Sequence, residues 1–199
     1  MVRTTVRDSK AACPLDRVNR QFKDDRPNPS WVSDFTSVST WQGWLYVAFV
    51  IDVFARRIVG WRVSRSMHTD LVLDALAQAL YARPPSPEEA LIHHSDRGSQ
   101  YVSIRYSERL TDAGIEPSVG SKGDSYDNAL AETINGLYKA ERIHRRAPWK
   151  TKESVDLATL EWVSWFNHHG RLEPIGSIPP AKAEANYYRQ LANQATVVA

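Results

Sequence analysis

Eleven residues from Trp44 to Phe54, WLYVAFVIDVF, make a nearly unbroken apolar run. A half-wet strand alternates apolar and polar side chains. A run this short and this continuous therefore reads as a strand covered on both faces at the centre of a sheet. The neighbouring segments supply the rest of that sheet. Trp31 to Val38, rich in β-branched and aromatic residues, reads as a strand before it, and Ile58 to Val63 as a hairpin partner after a turn at Arg56-Arg57. The period then changes. Leu71, Val72, Ala75, Leu76, Ala79 and Leu80 form one helical stripe, with Thr69 as its expected N-cap and the proline cluster from Pro84 as its stop. A short apolar strand from Ala90 to His94 runs into Asp96. Tyr101 to Ala113 reads as a helix closed by Gly114, Ile115 to Val119 as a fifth strand, and the segment through Glu132 and that from Thr151 to His169 as two further helices. Antiparallel strands followed by strands separated by helices give an α/β chain with a mixed five-stranded sheet flanked by helices.

With 199 residues the chain holds one main domain. The expected division is a basic N-terminal arm over 1–30, a core over 31–170 and a C-terminal tail over 171–199. No run of 18 apolar residues is available to span a bilayer, and the first residues lack an apolar signal core, so neither a membrane nor secretion is expected. The single cysteine, Cys13, suits a reducing cytoplasm. A net charge of only +2 does not announce a polyanion partner, but the distribution is uneven. Between residues 139 and 152 six bases (Lys139, Arg142, Arg145, Arg146, Lys150 and Lys152) face one acid, Glu141. That segment is either a phosphate-binding surface beside a site or a basic solvated loop.

Three acids stand out. Asp34 shares a strand face with Val32, Thr36 and Val38, and an isolated ionised carboxylate on a packable surface is costly. Asp96 ends a strand, and 35 residues separate it from Glu132. On the Glu132 helix, 3.6 residues per turn set Asn128, Glu132, Asn135 or Gly136, and Lys139 along one polar face. Oxygen ligands without thiolates suit Mg²⁺ or Mn²⁺, and two such ions over a phosphodiester support in-line displacement with no protein nucleophile. Neither a phosphate-binding Gly-rich loop nor a G-x-S-x-G elbow is present. His93-His94 and His168-His169 offer a weak zinc reading without an H-E-x-x-H; the plainer expectation is that one of each pair packs while the other hydrogen-bonds. Asp52 is expected to pair with Arg56 or Arg57. Trp44, Trp61, Trp162 and Trp165 lie in apolar patterns and read as core more readily than as base-stacking groups.

The stretches WVSDFTSVSTWQGWLYVAFVIDVFARRIVGW, HHSDRGSQY, SVGSKGDSYDNALAETINGLYK and WVSWFNHHGR, with the later IPPAKAEANYY, resemble the catalytic OrfB-type subunit of bacterial insertion-sequence transposases, whose core is like that of retroviral integrases. The resemblance implies a ribonuclease-H-like fold with Asp34, Asp96 and Glu132 as both catalytic and metal-binding acids for two Mg²⁺ or Mn²⁺ ions. It also implies strand cleavage of DNA by water, then attack of the freed 3′-hydroxyl on another phosphodiester. Lys122, Asn128, Lys139, Arg142, Arg145 and Arg146 are the expected DNA contacts. The implied partners are element ends and target DNA and a homo-oligomer on that DNA. Because the family carries a helical end-binding region and only about 30 residues precede Trp31, the chain is expected either to be a fragment or truncated copy, or to work with a separate helix-turn-helix subunit from an upstream frame. The implied location is the bacterial cytoplasm, at the nucleoid. The rival readings are a simple nuclease and an inactive DNA-binding remnant of an insertion element.

Overall fold

A computed structural model describes residues 14–18, 23–86, 90–96, 98–120 and 128–198. Lys122 and most of the arm expected over 1–30 lie outside the described residues. Five strands form one mixed sheet: β1 (Ser30–Thr40), β2 (Gly43–Asp52), β3 (Ile58–Ser64), β4 (Leu91–Ser95) and β5 (Ile115–Val119), in the spatial order β3-β2-β1-β4-β5. β1, β2 and β3 pair as antiparallel hairpins, and β4 and β5 extend the other edge of β1 in parallel. The helices are α1 (Thr69–Ala82), α2 (Ile104–Asp112), α3 (Ala129–Tyr138), α4 (His144–Arg146), α5 (Lys152–His168) and α6 (Pro180–Val198).

The unbroken apolar run has its explanation in two core layers. Leu45, Val47, Phe49 and Ile51 of β2 pack with Ile134 and Tyr138 of α3 and with Val155, Trp162 and Phe166 of α5. Ala48 and Val50 point the other way, among Leu71 and Leu76 of α1 and Tyr106 and Leu110 of α2. A strand with period two and helices on both sides needs apolar residues at every position.

Several local expectations need correction. The N-cap of α1 is His68, with extended backbone and no side-chain capping bond, and Thr69 is already the first helical residue. The helix expected from Tyr101 begins at Ile104, capped by the Ser103 hydroxyl accepting from the Tyr106 N–H; it ends at Ala113, with Gly114 following at φ +68° as expected. In α5, Val155, Ala158, Trp162, Val163 and Phe166 are buried, whereas Leu157, Leu160 and Trp165 are exposed. Eight apolar positions wrap more of a helix than one sheet can cover. Trp44 is also exposed, at the start of β2 beside the hairpin turn.

The segment expected as a tail carries the 19 residues of α6. Its Glu184 is buried and forms ion pairs with Arg57 and Arg83, and Arg83 also reaches Asp52 at 3.5 Å. Asp52 is thus tied to Arg83, 31 residues away, and to the backbone N–H groups of Asn28 and Ala55, while Arg57 serves Glu184 instead.

Candidate active site at the sheet's carboxyl edge

The parallel register of β1 and β4 ends with Ser33 opposite Ser95. The next residue of each chain segment is an acid, so Asp34 and Asp96 emerge side by side where β4 stops. Gly98 closes the loop after Asp96: its N–H donates to Asp96 Oδ1 at 3.1 Å, and a Cβ added there would lie 2.9 Å from the same oxygen. A side chain at 98 would push the carboxylate out of place.

Helix α3 lies across the face of β1 that carries Asp34. Two asparagines two turns apart hold it down: Asn128 Nδ2 donates to the Ser33 carbonyl at 3.1 Å, and Asn135 Nδ2 donates to Asp34 Oδ2 at 2.9 Å. Glu132 lies between them on the first turn and is exposed. Burial first, and then the charge of Asp96, push the Asp34 carboxyl up to about 7; Glu132 adds to this, against the Phe35 N–H and Asn135. Asp96 is raised as well, mainly by desolvation, with the Gly98 N–H and His94 opposing. Among the described residues no three His, Cys, Asp or Glu side chains stand close enough to hold one ion. Asp34 and Asp96 come together, and Glu132 acts on Asp34 from the helix above.

Below the acids, both adjacent histidines are buried and both hydrogen-bond, contrary to the expected division of one packing and one bonding. His93 Nε2 bonds with the Ser33 hydroxyl at 2.8 Å and the Tyr106 hydroxyl at 3.1 Å, and His94 Nδ1 with the Ser118 hydroxyl at 2.8 Å. Burial, with His94 beside it, pushes His93 down to about 3, so it is a neutral strut under the site. A side chain on each face of a strand has its own partners, so the rings of His93 and His94 do not converge on one ion.

The expected DNA contacts divide. Asn128 is buried with its amide committed to β1, so it anchors α3 instead of presenting a surface. After α3 the helix continues as a π-helical turn, Lys139–Ile143, into α4. Lys139 is half-buried and Arg142 pairs with Glu161, whereas Arg145 and Arg146 are exposed. Asn135 was legible only as one of two alternatives on the polar face, and Gly98 and Tyr101 had no assigned part. The signal for both was their place in the HHSDRGSQY stretch that contains Asp96.

Comparison with known proteins gives this geometry a context. A family model described as integrase core domain matches residues 24–125, and a second of the same description matches residues 113–180. The chain is 60% identical over 192 residues to the transposase for insertion sequence element IS629 of Shigella sonnei, covering 96% of this chain and 63% of that protein. It is 56% identical over 191 residues to a putative transposase for insertion sequence element IS986/IS6110 of Mycobacterium tuberculosis, covering 94% and 69%. Among solved structures, it superposes on a simian T-cell lymphotropic virus intasome with a TM-score of 0.64 at 16% identity, over 81% of this chain and 56% of that one. The HTLV-2 integrase catalytic core domain in complex with magnesium gives a TM-score of 0.58 at 16% identity, over 80% and 97%. At that identity the likeness concerns the fold, which is ribonuclease-H-like.

Proposed function

Because the chain belongs to the integrase-core family that includes the insertion-sequence transposases, we propose that it is the catalytic core of a DNA transposase that cleaves DNA and transfers the freed strand. The observation that carries this reading is the pairing of Asp34 with Asp96 at the sheet edge, under a helix that fixes Asp34 through Asn135 and brings Glu132 over it.

The residues present fit a divalent cation. The donors are carboxylate oxygens, as Mg²⁺ and Mn²⁺ prefer. Asp34 carries a raised pKa first because it is desolvated and then because Asp96 and Glu132 lie near it, a repulsion that a cation would relieve. Asp34 and Asp96 would hold it, joined by Glu132 once its exposed side chain turns toward them, as two ions if the site follows the two-metal pattern. When bound, such ions activate the attacking oxygen and neutralise charge on the leaving oxygen of a phosphodiester. The chain's own contribution is placement. Asn135 fixes the rotamer of Asp34, the Gly98 N–H fixes Asp96, and Asn128 sets the height of α3. Lys139, Arg145 and Arg146, following directly on α3, place the phosphate backbone beside the acids. Element ends and target DNA are the substrates in this reading, a multimer on paired ends is the working form, and a helix-turn-helix subunit from an upstream frame supplies end recognition in the nucleoid.

The experiment is incubation of the full chain with Mg²⁺ or Mn²⁺ and a pre-nicked DNA end of the element. Joined strand-transfer products that disappear in Asp96→Asn support the reading. Hydrolysis without joining would make the chain a simple nuclease, and DNA binding without cleavage on any end-containing DNA would make it an inactive remnant.

A further inference from the structure

Among the described residues three tyrosines are buried, Tyr101, Tyr106 and Tyr138. Two of them use their hydroxyls: Tyr106 bonds with His93 at 3.1 Å and Tyr138 with Thr159 at 2.7 Å. The Tyr101 hydroxyl is buried and has no hydrogen-bond partner among the described residues. A buried hydroxyl left unsatisfied is less favourable than the phenyl ring that would fill the same space, so the group calls for an explanation.

Its surroundings supply one. Tyr101 follows Asp96 by five residues, its N–H donates to the Gly98 carbonyl, and its ring packs at 6.3 Å between centroids on Phe35, which alternates with Asp34 to the other face of β1. Burial, then Tyr106, then the charges of Asp34 and Asp96 all favour the protonated hydroxyl, so it remains a donor that both carboxylates feel. Two further orphaned atoms belong to the same site, Oδ1 of Asn135 and Oδ1 of Asn128. Buried polar atoms without partners are what a place reserved for water and a hydrated ion would leave.

We propose that Tyr101 is a further positioning residue of the transfer reaction, whose hydroxyl donates through a bridging water to the Asp34–Asp96 pair and fixes those carboxylates for a divalent cation. This rests on the catalytic reading of the acids. The ring of Tyr101 serves the core, and its oxygen serves the site.

The test compares wild type, Tyr101→Phe and Asp96→Asn as full chains. Three quantities are measured: thermal unfolding in EDTA, Mn²⁺ binding followed by the electron paramagnetic resonance of free Mn²⁺, and strand transfer on a pre-nicked end. For Tyr101→Phe the expected result is an unchanged or higher melting temperature, Mn²⁺ affinity lowered by about tenfold, and turnover lowered with it. Wild-type Mn²⁺ affinity and turnover in Tyr101→Phe would overturn the proposal while leaving the acids' role intact, provided Asp96→Asn loses both. A melting temperature several degrees below wild type would assign the hydroxyl a structural role and overturn it equally. If wild type and Asp96→Asn bind Mn²⁺ alike, the metal reading of the acids fails first and takes Tyr101's role with it.

Discussion

The fold carries two groups of acids, and they are built in opposite ways. Around Asp52, the arginines Arg57 and Arg83 face Asp52 and Glu184, so every carboxylate has a cation within reach. Around Asp34, the charges that act on it among the described residues are Asp96 and Glu132, and the groups that oppose the repulsion are the Phe35 N–H and an asparagine amide. Burying an acid with its counter-ion makes a structural tie; here it fastens α6 to β3 and to the end of α1. Gathering acids with no counter-ion among the described residues makes a site that is stable only in so far as something else supplies positive charge. The same residue type, a strand aspartate, therefore has two meanings that only its neighbours distinguish.

That contrast can be broken most sharply at Asp96. Asp96→Asn should lower strand transfer by on the order of a thousandfold, the loss expected when a carboxylate worth several kcal/mol of transition-state stabilisation is removed. Melting temperature in EDTA should not fall, which calorimetry on the same preparation checks. In the paired group the outcome reverses. Arg83→Met leaves Asp52 and Glu184 buried with less compensation and should cost about 3–5 kcal/mol of stability in urea unfolding, with turnover per folded molecule retained.

Gly98→Ala comes next. The crowding of a new Cβ against Asp96 should reduce turnover by roughly ten- to a hundredfold with little change in DNA affinity, measured by separating kcat from KM.

The pH dependence sharpens the comparison further. Asp34 has a folded pKa of about 7 against an ordinary 3.8, so the folded state binds this proton more readily than the unfolded chain. Its contribution to metal-free stability therefore improves as pH falls through 7. His93, held at about 3, works the other way once pH falls below its ordinary 6.5. The wild-type profile should thus rise from pH 8 to about 6.5 and then flatten. Asp34→Asn should be more stable than wild type at pH 8 by on the order of 2 kcal/mol, with the difference gone by pH 4. Thermal melts in EDTA across this range check the sign. The smallest effect is at the surface: Lys139→Ala should reduce the salt slope of DNA binding by about 1, and an unchanged slope would remove that lysine from the phosphate contacts.

Much of this was legible before the structure. The run from Trp44 to Phe54 demanded two covering layers, and period-two and period-3.6 patterns located all five strands and the helices between them. The acids were legible because a carboxylate in a strand and a polar strip on an amphipathic helix are both expensive unless used. Chain-distant pairings were not. Arg83 meets Asp52 across 31 residues and Glu184 across 101, and local pattern offered Asp52 only the nearer Arg56 and Arg57. Exposure of Trp44, Leu157, Leu160 and Trp165 depends on where a covering layer ends, which periodicity does not encode. The helix of α6 lacks a sustained apolar stripe, and it is fastened by the buried Glu184 and by the packing of Tyr187 on Phe54. The orphaned hydroxyl of Tyr101 is invisible in sequence because a buried tyrosine usually finds a partner.

The central claim is that the acids around Asp34 await a divalent cation whereas those around Asp52 are already compensated. Its most direct test is the shift in melting temperature on adding Mn²⁺ at pH 8 to wild type and to Asp34→Asn. The expected result is a rise of several degrees in wild type and little or none in the variant. An equal shift in both proteins, or none in wild type, would contradict it.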